Sequence, residues 1–97
     1  MGQIIMKLGE LIDKLSDYND ELTIYAEKPW SSDSRAIAAL EPDEGGLPIE
    51  AEKNHLEYFL EIFVANEFLD GWNSNEGKSS TKSETCDRLI SYAINDV

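Results

Sequence analysis

Residues Leu56–Trp72, LEYFLEIFVANEFLDGW, form the densest apolar run in the chain, and their period changes partway. Tyr58, Leu60, Ile62 and Val64 alternate with Phe59, Glu61 and Phe63, the two-residue period of a strand. From Ala65 the spacing is helical, with Ala65, Phe68, Leu69 and Trp72 at i, i+3, i+4 and i+7. One helix through the whole run would be apolar on every side. Aromatic and β-branched residues at 58–64 therefore predict a strand running into a short helix.

Working outward, Leu8, Leu11, Ile12 and Leu15, extended by Tyr18, predict an amphipathic helix from about Lys7 to Tyr18. Met6-Lys7-Leu8 would also serve as a start, so the first five residues read as a dispensable extension. Asp17-Tyr18-Asn19-Asp20 is turn chemistry. Residues Glu21–Glu27, ELTIYAE, alternate as a half-buried strand, and Arg35–Leu40, RAIAAL, reads as a second strand. Lys28–Ser34 is a loop. Glu41–Asn54, EPDEGGLPIEAEKN, reads as a long acidic surface loop or wide hairpin connection. Asn73–Ser80 reads as a second, polar loop. Thr81-Lys82-Ser83-Glu84 has the form of a capping box and opens a last helix, with Cys86, Leu89, Ile90, Ala93 and Val97 on one face.

The expected fold is α+β in the order α-β-β-β-α-α. Three antiparallel strands carry two main helices and one short helix on one face. Leu22, Ile24, Ala26, Tyr58, Leu60, Ile62 and Val64 would line the covered face. Thr23, Tyr25, Glu27, Phe59, Glu61 and Phe63 would lie on an open, partly apolar face, a candidate contact surface.

Ninety-seven residues with 41% hydrophobic content make one domain with one modest core. A single cysteine excludes an internal disulfide framework and predicts a reducing cytosol. No apolar run is long enough to span a membrane as a helix, and the N-terminus lacks the pattern of a signal peptide.

Catalytic patterns fail on their spacing. Gly71–Ser79 resembles a phosphate-binding loop but has five residues between its glycines where the mechanism needs four. His55, the one histidine, and Cys86, the one cysteine, build no zinc site. No calcium-loop pattern occurs. The sequence predicts a protein without cofactor, metal or enzymatic activity.

Charge is the informative quantity. Twenty acids against eight bases give −12. Residues 1–77 hold 17 of the acids and 5 of the bases, so the whole excess lies there. Direct nucleic-acid binding and an anionic membrane surface are both disfavoured, because phosphate contacts need Lys and Arg. At 100° per residue Glu10, Asp13, Asp17, Asp20 and Glu21 cluster opposite the apolar stripe of the first helix. Solvated helix faces usually mix signs, and here only Glu10–Lys14 is a favourable pair while Asp13–Asp17 is an unfavourable one. With Glu27, Asp33, Glu41, Asp43 and Glu44, these acids are candidates for imitating a phosphate backbone. Steps of three and four residues along a helix separate acids by roughly 4.5 and 6 Å, against about 3.4 Å per phosphate along one DNA strand. Trp30 reads either as a binding anchor or as a side chain folded over the edge of the core.

In type, a small, strongly acidic α+β chain without catalytic motifs resembles the DNA-mimic inhibitors of phages and mobile elements. Among these are the anti-CRISPR proteins of type I-F surveillance complexes. The residues behind the resemblance are Glu10, Asp13, Asp17, Asp20, Glu21, Glu27, Asp33, Glu41, Asp43 and Glu44. The resemblance implies binding to basic, DNA-contacting subunits and exclusion of target DNA. The alternatives are an immunity protein covering a basic toxin through a compact patch of Trp30, Tyr25 and Phe59, and a structural domain whose acidity serves solubility.

Overall fold

The computed structural model describes residues 5–76 and 82–95. The chain folds as α+β around an antiparallel sheet, but with four strands in the order β1-β3-β2-β4. These are β1 (Met6–Lys7), β2 (Thr23–Ala26), β3 (Arg35–Ala39) and β4 (Glu57–Glu61). The helices are α1 (Leu8–Asp13), α2 (Ile49–Lys53), α3 (Ile62–Glu76) and α4 (Lys82–Asn95), with a 3-10 turn at Leu15–Asp17. The expected three-stranded sheet and its helix order are corrected by β1 and α2.

The strand β1 pairs with β3, Met6 opposite Ala36 and Lys7 opposite Arg35. The chain then turns at once into α1, anchored by Leu8 N–H donating to Ser34 O at 2.7 Å and Gly9 N–H to Ser32 O at 2.9 Å. The α-helix ends at Asp13, short of Tyr18. Ser16, Asp17, Asn19 and Asp20 follow, residue types whose side chains compete for backbone hydrogen bonds. Asn19 does so directly, its Oδ1 accepting the Glu21 N–H at 2.8 Å. The 3-10 turn nevertheless keeps Leu15 buried beside Leu8, Leu11 and Ile12.

The central run changes from strand to helix as expected, but at Ile62. That residue fits both periods, since 58, 60, 62 step by two while 62, 65, 69 follow a helix. Burial decides for the helix: Ile62 and Ala65 are fully buried, with Phe68 and Leu69 packed against the core. Helix α3 continues to Glu76, so Asn73–Glu76 are helical where a loop was expected. Gly77–Ser80 and Thr81 of the expected capping box lie outside the described residues, as does Val97.

A β-bulge in β4 overturns the expected faces of Tyr58 and Phe59. Thr23 pairs with Glu61 and Ile24 with Leu60, but Tyr25 pairs with Tyr58, which leaves Phe59 as the extra residue. Phe59 and Leu60 consequently both enter the core under the helices, and Tyr58 moves to the opposite face. The main core joins Leu8, Leu11, Ile12 and Leu15 with Ile24, Ala26, Ala36, Ala38, Phe59 and Leu60 of the sheet and Cys86, Leu89 and Ile90 of α4. Phe68 stacks on Tyr92 at 4.6 Å and fastens α3 to α4.

The second face of the sheet is covered as well. Gly45 and Gly46, at φ 84 and 80, turn the acidic loop back across it, and α2 follows. Leu47, Ala51 and Leu56 pack on Tyr25, Ile37 and Ala39 as a small second core. That is why all four residues of β2 are buried, and why the face expected to be open is closed over Tyr25.

A candidate acidic surface at one end of the sheet

The antiparallel register sorts the predicted acids by sheet end. At the end where β2 finishes and β3 begins, charges are compensated. The Arg35 guanidinium grips Glu27 with two bonds, Nε to Oε1 at 3.3 Å and Nη2 to Oε2 at 3.0 Å, and Nη2 also donates to Asn54 O at 3.0 Å. Hydrogen bonding to Arg35, reinforced by its charge, holds the Glu27 carboxyl below its usual range. Lys7 pairs with Asp33 at 3.6 Å and Lys28 with Glu57 at 3.7 Å, both in solvent. Glu27 and Asp33 are thus already partnered inside the chain.

The opposite end, where β2 starts and β3 and β4 finish, is acidic. Asp20 and Glu21 precede β2, Glu41 follows β3, and Glu61 closes β4. Asp43 and Glu44 stand in the turn beyond Glu41, exposed like Asp20, Glu21 and Glu41. Asp20 accepts a hydrogen bond from Asn66 of α3 at 3.1 Å, tying the turn to the helix. Among the described residues none of these six carboxylates is in an ion pair.

The expected stripe on the first helix is not one continuous helical face. Glu10 and Asp13 lie on α1, but the path breaks at Lys14 (φ −107, ψ 22) before Asp17. The Glu10 carboxylate accepts the Lys7 N–H at 3.3 Å. A groove of about 410 Å³ beside α1 is lined by Glu10, Asp13 and Asp33, and also by Lys7, Lys14 and Cys86, so its charge is mixed. Asp13 and Asp17 are exposed and lead toward the acidic end.

Trp30 is half-buried. Its Nε1–H donates to Ala26 O at 3.1 Å, its ring meets Phe59 edge-on at 4.8 Å, and the Lys28 ammonium sits 4.9 Å from the ring centre. Tyr25 and Phe59 are buried. The compact patch expected for an immunity-type interface is therefore turned into the cores. Cys86 is fully buried too, and desolvation, with a smaller contribution from Asp87, pushes its thiol up to about 11.

Glu61 lies on the face of Thr23 and Tyr25, as alternation predicts, although it was not among the partner-binding acids; Tyr58 joins that face only through the bulge, which no simple alternation displays. The Tyr25 and Tyr58 rings meet edge-on at 6.4 Å. Burial raises the pKa of both phenols, and the charges of Glu41 and Glu61 add to the effect.

Comparison with known proteins finds no matching family model, no matching curated protein and no matching solved structure.

Proposed function

We propose that the protein binds a basic surface that otherwise holds nucleic acid, and excludes the nucleic acid from it. The observation that carries this reading is the polarised sheet. Among the described residues the sheet's ion pairs lie at one end, and Asp20, Glu21, Glu41, Asp43, Glu44 and Glu61 stand without one at the other. Acidity that served solubility alone would have no reason to be sorted this way, because mixed signs keep a surface soluble as well. A one-signed patch instead raises the encounter rate with a cationic partner and makes binding sensitive to salt.

The partner class is a DNA-binding protein or complex, and the type I-F CRISPR surveillance complex is the case named by the resemblance in type. Adding the purified protein to that complex and following target-DNA binding by gel shift tests the reading. Loss of the DNA-bound band, weaker at moderate than at low salt, is the expected result. Full DNA binding at large protein excess removes this target.

A further inference from the structure

We propose that Glu41, Glu61, Tyr25 and Tyr58 form a seat for one guanidinium group, supplied by an arginine of the partner. The basic-partner reading is needed only for the source of the guanidinium. The seat itself rests on geometry.

Register places Thr23, Tyr25, Tyr58 and Glu61 on one face of the sheet, with Glu41 two residues beyond Ala39 at the same end. The second core covers the Tyr25 ring through Leu56 and Ala51 but leaves Tyr58 45% exposed and Glu41 in solvent. Tyr25 itself is 1% exposed, and its hydroxyl is buried with no hydrogen-bond partner among the described residues. The Thr23 side chain lies beside it and slightly opposes the rise in its pKa, yet no hydrogen bond of acceptable geometry forms. A covered, unpaired hydroxyl is unfavourable, and folded proteins rarely keep one without a use for it. The register sets Tyr25 against Tyr58 and one step along the same face from the Thr23–Glu61 pair, and the charges of Glu41 and Glu61 reach its phenol. Arg35, the base of β3 on this face, is engaged by Glu27 at the other end.

The chemistry selects the ligand. Among the described residues no three of His, Cys, Asp and Glu converge, so the arrangement does not suit a metal ion. Two carboxylates, Glu61 at the end of β4 and Glu41 just beyond β3, with a hydroxyl and an exposed aromatic face, suit a flat cation with several N–H donors. Guanidinium stacks on the Tyr58 ring, donates to both carboxylates and supplies the partner the Tyr25 oxygen lacks. The Tyr58 ring, edge-on to Tyr25, is exposed, and exposed side chains change rotamer in picoseconds to nanoseconds, so it can swing aside for an incoming donor.

The test titrates the protein with Nα-acetyl-arginine amide and, separately, Nα-acetyl-lysine amide at constant ionic strength, observing the Tyr25 and Tyr58 ring signals by NMR. The expected result is a saturable shift of both rings, tighter for the arginine probe. It should weaken by roughly tenfold or more in Glu41→Gln/Glu61→Gln, the loss of charge-assisted hydrogen bonds. Tyr58→Leu, at an exposed position, should weaken it as well. A non-saturating shift, equal affinity for the lysine probe, or an unchanged response in the double variant overturns the seat. The probe needs no protein partner. Probe binding without DNA competition removes the basic-partner reading alone, and DNA competition without probe binding removes the seat alone.

Discussion

At His55 the backbone takes φ 60, a left-handed conformation that disfavours side chains with a Cβ. The surroundings explain it. Leu56 N–H bonds Ala51 O at 2.8 Å and His55 N–H bonds Glu52 O at 3.3 Å, the two bonds of a Schellman cap that closes α2. The apolar contact of that motif is Leu56 on Ala51, inside the second core. His55 therefore occupies a position glycine prefers, and His55→Gly should raise stability by about 1 kcal/mol, measured by urea unfolding. The sequence showed a lone histidine before a strand and gave no sign of the cap, because the helix it ends was itself hidden in an acidic, proline-containing stretch. Cys86 makes a second prediction at this scale. Its folded pKa of about 11 lies above the thiol's ordinary value, so the folded state holds its proton longer than the unfolded chain does. Stability from this group is intact below about pH 8.5, the usual thiol pKa, and is lost as pH rises toward 11. Cys86→Ala should flatten the alkaline decline of the urea midpoint between those values, although the raised phenols of Tyr25 and Tyr58 leave part of it in place.

Among the elements, α2 and the bulge of β4 decide how the sheet is used. Leu56→Ala empties part of the second core and should destabilise the fold by about 2–4 kcal/mol in urea unfolding. An unchanged midpoint would mean that α2 is not docked on the sheet. The passage from strand to helix within residues 56–72 was legible because the period visibly changes. So was the buried face of α4, where Cys86, Leu89 and Ile90 lie on the core as their spacing predicts. The faces of Tyr58 and Phe59 in β4 were not. Alternation assumes one residue per pairing step, and the extra residue at Phe59 reverses everything before it. The two-residue strand β1 was missed for a different reason. Met6–Lys7 is too short to show a period, and its place is set by pairing with Ala36 and Arg35, far along the chain.

At the scale of the whole molecule, the net charge of −12 was read from composition, but its layout was not. Glu27 and Asp33 look like free acids in sequence and are compensated by Arg35 and Lys7, whereas Glu61, placed by alternation on the right face, is brought beside Glu41 and Asp20 only by the sheet order. Asp13→Lys/Asp17→Lys changes two exposed positions away from both cores. It should move the thermal midpoint by no more than about 3 °C, while slowing association with a basic partner. The polarity of the sheet is the central claim, and matched charge reversals test it most directly. Glu21→Lys/Glu41→Lys alters the acidic end and Asp33→Lys/Glu57→Lys the compensated end, by the same change in net charge. Both variants and the parent protein would be titrated against DNA bound to the surveillance complex at one salt concentration. The account predicts that the first variant loses DNA displacement and the second keeps most of it. Equal loss in both variants would reduce the effect to net charge, and full displacement by the first would contradict the account.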